Sequence, residues 1–163
     1  MPGAVQPATV EAMATTEQQV EQAQRRARIV AAARDLAEEE GWRSVTMRRV
    51  AEKVRYSQPV IHGSFATTAD VIRAVALEGF HDLTMAMRES RARLRLPRRQ
   101  LAAATRAYLA FAAENPVVYE AMFGFDLGLS FASRSTPALE VEATYAELRG
   151  LVAQLPTVRP ADV

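Results

Sequence analysis

Two short stretches carry side chains suited to reading the edges of nucleobases. Thr46 and Arg48 stand at the start of one predicted helix, and Ser57, Gln58, Pro59 and Val60 at the start of the next. A guanidinium can grip guanine O6 and N7 with two hydrogen bonds, and a carboxamide can do the same with adenine N6 and N7. Pro59 and Val60 offer apolar contact to a thymine methyl. Thr46, Arg49, Lys53, Arg55 and Ser57 suit phosphate oxygens or helix caps, which position a protein on a duplex without reading its sequence. The plainer alternatives are capping alone for Thr46 and Ser57, simple exposure for Lys53 and partial burial for Val60.

The elements that must hold these residues are legible from start signals. Thr46 caps a helix over about 47–54, with Val45 and Val50 at staple spacing. Ser57 caps a second over about 58–64, with Tyr56 and Ile61 at the same spacing, and Pro59 falls in a first turn that tolerates a missing N–H. The link Val54–Arg55–Tyr56 is tight enough for a helix-turn-helix, whose second helix enters the major groove. Before it, Ile29, Val30, Ala33, Leu36 and Ala37 recur at helical spacing over about 23–40. Gly41 ends that helix, and Trp42 is expected to plug a three-helix core. A long helix starts after Thr67 or Thr68 and presents Val71, Val75, Phe80, Leu83 and Met87. Further helices fit 98–114, a segment beginning at Asn115–Pro116, and about 137–154. No segment alternates like a strand and no internal repeat is evident, so the expected class is all-α.

These stretches together resemble the TetR family of transcriptional regulators. RRARIVAAARDLAEEEGWRSVTMRRVAEKV is similar to the family's first two helices, SQPVIHGSF to its recognition helix, and FATTADVIRAVALEGF to the start of its long fourth helix. The resemblance implies a DNA-binding domain over 23–83 and a helical effector and dimerisation domain over 84–163. It implies base contacts from Arg48, Gln58, Pro59 and Val60, and a DNA-facing set that also takes in His62, Gly63, Ser64 and Thr68. It implies a homodimer on double-stranded DNA, a ligand-responsive repressor at a short palindrome, and a cytoplasmic bacterial protein. The family's usual motif has a tyrosine, a variable residue, a histidine and a phenylalanine, then a lysine three residues on. Here His62 replaces the tyrosine, Ser64 the histidine and Thr68 the lysine, and only Phe65 remains. Thr68 offers one neutral hydrogen bond where the family has a charge-assisted phosphate contact. Gly63 loosens the end of the recognition helix.

Composition fits this reading and excludes others. The chain has 163 residues, no cysteine and two histidines, His62 and His81, far apart in sequence. Thiolate metal sites, disulfides and a cysteine nucleophile are therefore excluded. No cofactor, catalytic triad, metal motif, phosphate loop or paired carboxylates at a useful spacing stands out, so no enzyme is predicted; Glu38, Glu39 and Glu40 are one helix end. No apolar run reaches membrane-spanning length. Residues 1–22 lack the basic start and apolar core of a signal peptide and suggest a disordered tail, with Met1 or Met13 as the start. Net charge is only +1, yet residues 23–65 hold nine Arg or Lys against five Asp or Glu. A second basic run, MRESRARLRLPRR over 87–99, reads as an exposed helix end and loop, or alternatively as an extra phosphate-contacting patch.

The second half carries Tyr108, Phe111, Val117, Tyr119, Met122, Phe123, Phe125, Leu127 and Phe131. Most belong to a core. The resemblance implies a pocket for a hydrophobic small-molecule effector, with Tyr108, Phe111, Tyr119, Met122, Phe123 and Phe125 as candidate lining. YLAFAAENPVVYEAMF is similar to one TetR subgroup, whose next helix bears a tryptophan, a histidine and a glycine. No tryptophan follows Trp42, and the chain closes on LPTVRPADV. The expectation is a domain lacking its last helices and a dimer weaker than the family norm. The alternative is a truncated or decayed regulator with weak, nonspecific DNA binding.

Overall fold

The computed structural model describes residues 7–125 and 136–155. Among these residues seven α-helices follow one another: α1 Pro7–Glu40, α2 Met47–Val54, α3 Gln58–Ser64, α4 Thr68–Arg91, α5 Pro97–Glu114, α6 Pro116–Phe123 and α7 Thr136–Ala153. No strand occurs among the described residues, so the class is all-α as read from the sequence. The helix-turn-helix boundaries coincide with the sequence reading because both starts are set by local chemistry. Helix α1 does not: it begins at Pro7, not at 23, and the segment expected to be a disordered tail is largely helical. Its Ala, Glu, Gln and Met content favours helix without needing a buried face, and residues 16–24 are correspondingly exposed.

The chain forms two compact units that divide between Val71 and Ile72, within α4, whereas the sequence reading divides it after residue 83. In the first unit α1 packs on α2 and α3, and α2 on α3. Ile29, Ala33, Leu36, Trp42, Val45, Val50, Ile61 and Phe65 are buried there, so Trp42 occupies the core as expected. Gly41 adopts φ 81°, a left-handed turn that ends α1, and its N–H is donated to the Ala37 carbonyl at 2.8 Å.

In the second unit α5 packs on α6 and α7. Phe80, Leu83, Met87, Ala104, Phe111, Val118, Ala121, Met122, Val141 and Leu151 are among its buried apolar side chains. Helices α4 and α6 approach closely at Gly79, where an added Cβ would lie 2.5 Å from Val118 Cγ1. Thr84 and Thr144 are buried against each other, Oγ1 to Oγ1 2.7 Å, and both reach the Phe80 carbonyl, at 2.8 and 3.1 Å. One turn further along, Glu147 of α7 accepts from Arg88 Nε at 2.7 Å and from Arg91. Asn115 does not cap α6. Its side chain turns back and donates to the Phe111 carbonyl at the end of α5.

Candidate nucleic-acid interface

Helix α2 starts at an extended Thr46 whose hydroxyl accepts the Arg49 N–H at 3.3 Å. It stops at Arg55, which takes a left-handed conformation (φ 57°) and donates its N–H to Ala51 and Glu52 carbonyls. That single residue, at an uncommon backbone angle for a non-glycine, turns the chain from α2 toward α3. Ser57 has the extended N-cap backbone but makes no side-chain cap bond, so its hydroxyl is left to solvent or a ligand. At the head of α4 the cap is Thr67 rather than Thr68. Thr67 Oγ1 accepts the Asp70 N–H at 3.2 Å, and Asp70 Oδ2 accepts the Thr67 N–H at 3.0 Å, a reciprocal capping box.

One face of this arrangement is open. Thr46, Arg48, Ser57, Gln58, Pro59, Val60, His62 and Gly63 are all exposed. Val60 keeps 36% of its surface, partly buried as the alternative reading has it yet still open to a ligand. The Arg48 side chain is 69% exposed and pairs one turn along with Glu52 at 2.9 Å, a solvated contact worth a few tenths of a kcal/mol at most. A base edge or phosphate competes with it readily.

Three candidates are held elsewhere. Ser64 is buried, with its hydroxyl against the Val60 carbonyl, so it faces the core and cannot meet DNA. Its backbone carbonyl accepts from Arg26 of α1, whose guanidinium also lies 4.0 Å over the Phe65 ring. A cation at the end of α3 complements the partial negative charge of a helix C-terminus. Arg49 makes a two-bond contact with Glu40, at 2.8 and 2.5 Å, and also reaches the Ser44 carbonyl. The hydrogen bonds that Arg49 donates to Glu40 lower the carboxyl below the usual range and raise the guanidinium. Lys53 pairs with Glu39 at 2.8 Å and Asp35 at 3.8 Å, and the Glu39 bond raises it likewise. Both cations thus tie α2 to α1. Arg55 is exposed, and Thr68 is half-buried in the first turn of α4.

The sequence profile described as bacterial regulatory proteins, tetR family, matches residues 29–75, the span that contains this face. Over those residues the chain is similar to the DNA-binding head of the tetR family. No curated protein sequence matches it. Among solved structures, a Rhodococcus sp. RHA1 protein of unknown function superposes with TM-score 0.65 at 22% identity, over 80% of this chain and 66% of its own. A bacterial regulatory protein in the tetR family from Rhodococcus RHA1 gives 0.59 at 20%, over 78% and 65%. The TetR family transcriptional regulator PfmR from Thermus thermophilus gives 0.59 at 16%, over 80% and 75%. At these identities the likeness is one of fold. The chain spans about two thirds of the length of the two Rhodococcus proteins. No single helix among the described residues is long and apolar enough to cross a membrane.

The second unit holds a cavity of about 200 Å³ lined by Phe80, Thr105, Tyr108, Phe123, Thr144, Tyr145 and Leu148. Two of the six lining candidates read from the sequence, Tyr108 and Phe123, are in its wall. Tyr119 stands behind them, its hydroxyl 2.8 Å from that of Tyr108 and its ring packed on Phe123. Burial first, and then the Tyr119 hydrogen bond, push the Tyr108 phenol up to about 12. Phe111 and Met122 belong to the buried core and Phe125 is 37% exposed, so none of the three lines the cavity. Leu127 and Phe131 lie outside the described residues. The lining residues missed by the sequence reading come from α4, α5 and α7, and only the three-dimensional packing brings them together.

Proposed function

We propose that the chain is a ligand-responsive repressor that binds a short palindromic operator as a homodimer. The observation carrying this is the exposed face of Arg48, Gln58, Pro59 and Val60, with Arg49 and Lys53 committed to α1. Base readout then rests on Arg48 and Gln58, each able to make a two-bond contact worth about 1–3 kcal/mol of discrimination. A dimer must hold two recognition helices about 34–36 Å apart to meet successive major grooves. The second unit, Ile72–Val163, supplies the pairing surface and the effector site.

The cavity suggests the effector's chemistry. Its size is comparable to an engineered cavity of about 150 Å³ that accepts benzene. Three of its hydroxyls already have oxygen partners: Thr105 donates to the Leu101 carbonyl, Thr144 reaches the Phe80 carbonyl, and Tyr108 meets Tyr119. They retain acceptor lone pairs, which favours a compact apolar or aromatic molecule bearing one hydrogen-bond donor. A ligand that prefers a dimer with wrongly spaced heads shifts the population away from DNA.

The test is a fluorescence-anisotropy titration with DNA from upstream of the chain's own gene, at several salt concentrations and with random duplex as competitor. Saturable binding that survives competitor and fails in Arg48→Ala or Gln58→Ala supports the reading. Binding that random duplex abolishes refutes it.

A further inference from the structure

The basic run over 87–99 separates into two sets in the structure. Arg88 and Arg91 are consumed by Glu147. Arg93, Arg95, Arg98 and Arg99 are exposed, and among the described residues none lies within ion-pair distance of a carboxylate. They stand within seven residues, around Leu96, which is 57% exposed. The turn that carries them is fixed at both ends. Leu94 N–H is donated to the Arg91 carbonyl at 2.9 Å, Gln100 Nε2 to the Leu94 carbonyl at 2.6 Å, and the Arg99 and Gln100 N–H groups to the Leu96 carbonyl at 2.9 and 3.0 Å. Arg98 and Arg99 border a hollow of about 420 Å³ with Leu96, Pro97 and Gln154.

We propose that this arginine turn is a second, sequence-independent DNA-binding surface, taking the phosphates of a duplex other than the one read by the helix-turn-helix. Guanidinium forks bind phosphate oxygens with two bonds and are more weakly hydrated than ammonium groups. Four like charges on an ordered turn repel one another, and a row of phosphates relieves that repulsion. A lipid surface is the poorer fit, because Leu96 is the one large apolar side chain exposed at the turn and stable anchoring needs more apolar area. A helix-turn-helix that holds one duplex, as proposed above, raises the local concentration of DNA at any further basic surface. The arginine turn as a second site rests on the proposed DNA binding by the helix-turn-helix, and the head variant and the fourfold variant tell the two apart.

The experiment immobilises a random-sequence duplex on beads, adds the full chain, and measures capture of a second, labelled random duplex. Anisotropy on random duplex across salt concentrations accompanies it. The comparison is wild type, the fourfold Arg93→Gln, Arg95→Gln, Arg98→Gln, Arg99→Gln variant, and the head variant Arg48→Ala. Wild type is expected to capture the second duplex and the fourfold variant to lose most capture. The log–log salt slope of the fourfold variant should shrink by up to about 3–4, since each neutralised phosphate contributes about 0.9. A variant carrying only Arg93→Gln and Arg95→Gln should lose about half of that slope. Absence of capture by wild type, undiminished capture by the fourfold variant, or loss of capture in the head variant alone overturns the proposal. So does a fourfold variant that loses binding to phosphatidylserine vesicles while keeping its duplex binding.

Discussion

Replacing Gly79 by alanine should destabilise the protein, although the same change usually helps a helix. A glycine inside a helix costs about 1 kcal/mol relative to alanine, through backbone entropy and exposure. At Gly79 the new Cβ would lie 2.5 Å from Val118 Cγ1 and 2.8 Å from Met122 Sδ. Carbon pairs rest at about 3.5–4.0 Å, so α4 and α6 must separate by about 1 Å at this point. Met122 can turn away, but the branched Val118 side chain is stiff. Overpacking of this kind costs about 1–3 kcal/mol, which against the helix gain leaves a net loss of about 1 kcal/mol, within a range of about 0–2. For a chain of this size that lowers Tm by about 2–4 °C. Gly63→Ala is the control: nothing lies within 4 Å of its added Cβ, and α3 should gain up to about 1 kcal/mol. Both variants change the unfolded chain in the same way, so the difference between them reports the native contact. Thermal unfolding followed by far-ultraviolet circular dichroism measures it. A Gly79→Ala protein that melts as high as Gly63→Ala refutes the argument.

Other outcomes follow from the ion pairs and phenols. Burial raises the Glu147 carboxyl, but the hydrogen bonds from Arg88 and Arg91 outweigh it and hold it below the ordinary value of 4.5. Its contribution is therefore present above that pH and lost as pH falls, and Glu147→Gln should flatten this acid limb in a stability–pH profile while costing about 2 kcal/mol or less at neutral pH. Tyr108 titrates higher folded than unfolded, so its contribution is complete below about pH 10 and declines toward pH 12. Tyr108→Phe should remove the latest phenolate transition in a near-ultraviolet absorbance titration. Arg49→Ala and Lys53→Ala should weaken DNA binding less than Arg48→Ala in the anisotropy assay, because both cations are committed to α1, and each should lower the urea midpoint only slightly, since exposed pairs contribute little.

The helix-turn-helix was legible because its signals are local: a threonine cap, a staple pair and a proline in a first turn each act within four residues. The limits of α2 and α3 agree with that reading to the residue. What escaped was set by distant partners. Nothing near Arg49 or Lys53 in sequence announces that Glu40 and Glu39 wait at the end of α1. Arg26 read as one more basic residue, yet it fixes the end of α3 through Ser64 and Phe65. Of the seven residues in the cavity wall, aromatic content pointed to two, Tyr108 and Phe123; Phe80 was read as core, and Thr105, Thr144, Tyr145 and Leu148 were not singled out. Ser57 and Asn115 are good capping residue types whose side chains do not cap, because propensity fixes a residue's preference and not the rotamer chosen in context.

The two buried threonines hold a further consequence. Three close contacts join Thr84 Oγ1, Thr144 Oγ1 and the Phe80 carbonyl oxygen, and the two hydroxyls bring two hydrogens to them. A chain running Thr144 to Thr84 to Phe80 satisfies the set, and so does the reverse order through Thr144. The protons can therefore circulate between two arrangements with the heavy atoms at rest. Either hydroxyl alone still reaches the carbonyl, so Thr84→Val or Thr144→Val singly should cost little, and the pair together more than the sum, a coupling that a double-mutant thermal-melt cycle would read directly. Thr144 is also part of the cavity wall, so a guest that donates to its oxygen selects one circulation over the other and carries its presence into the buried joint between α4 and α7.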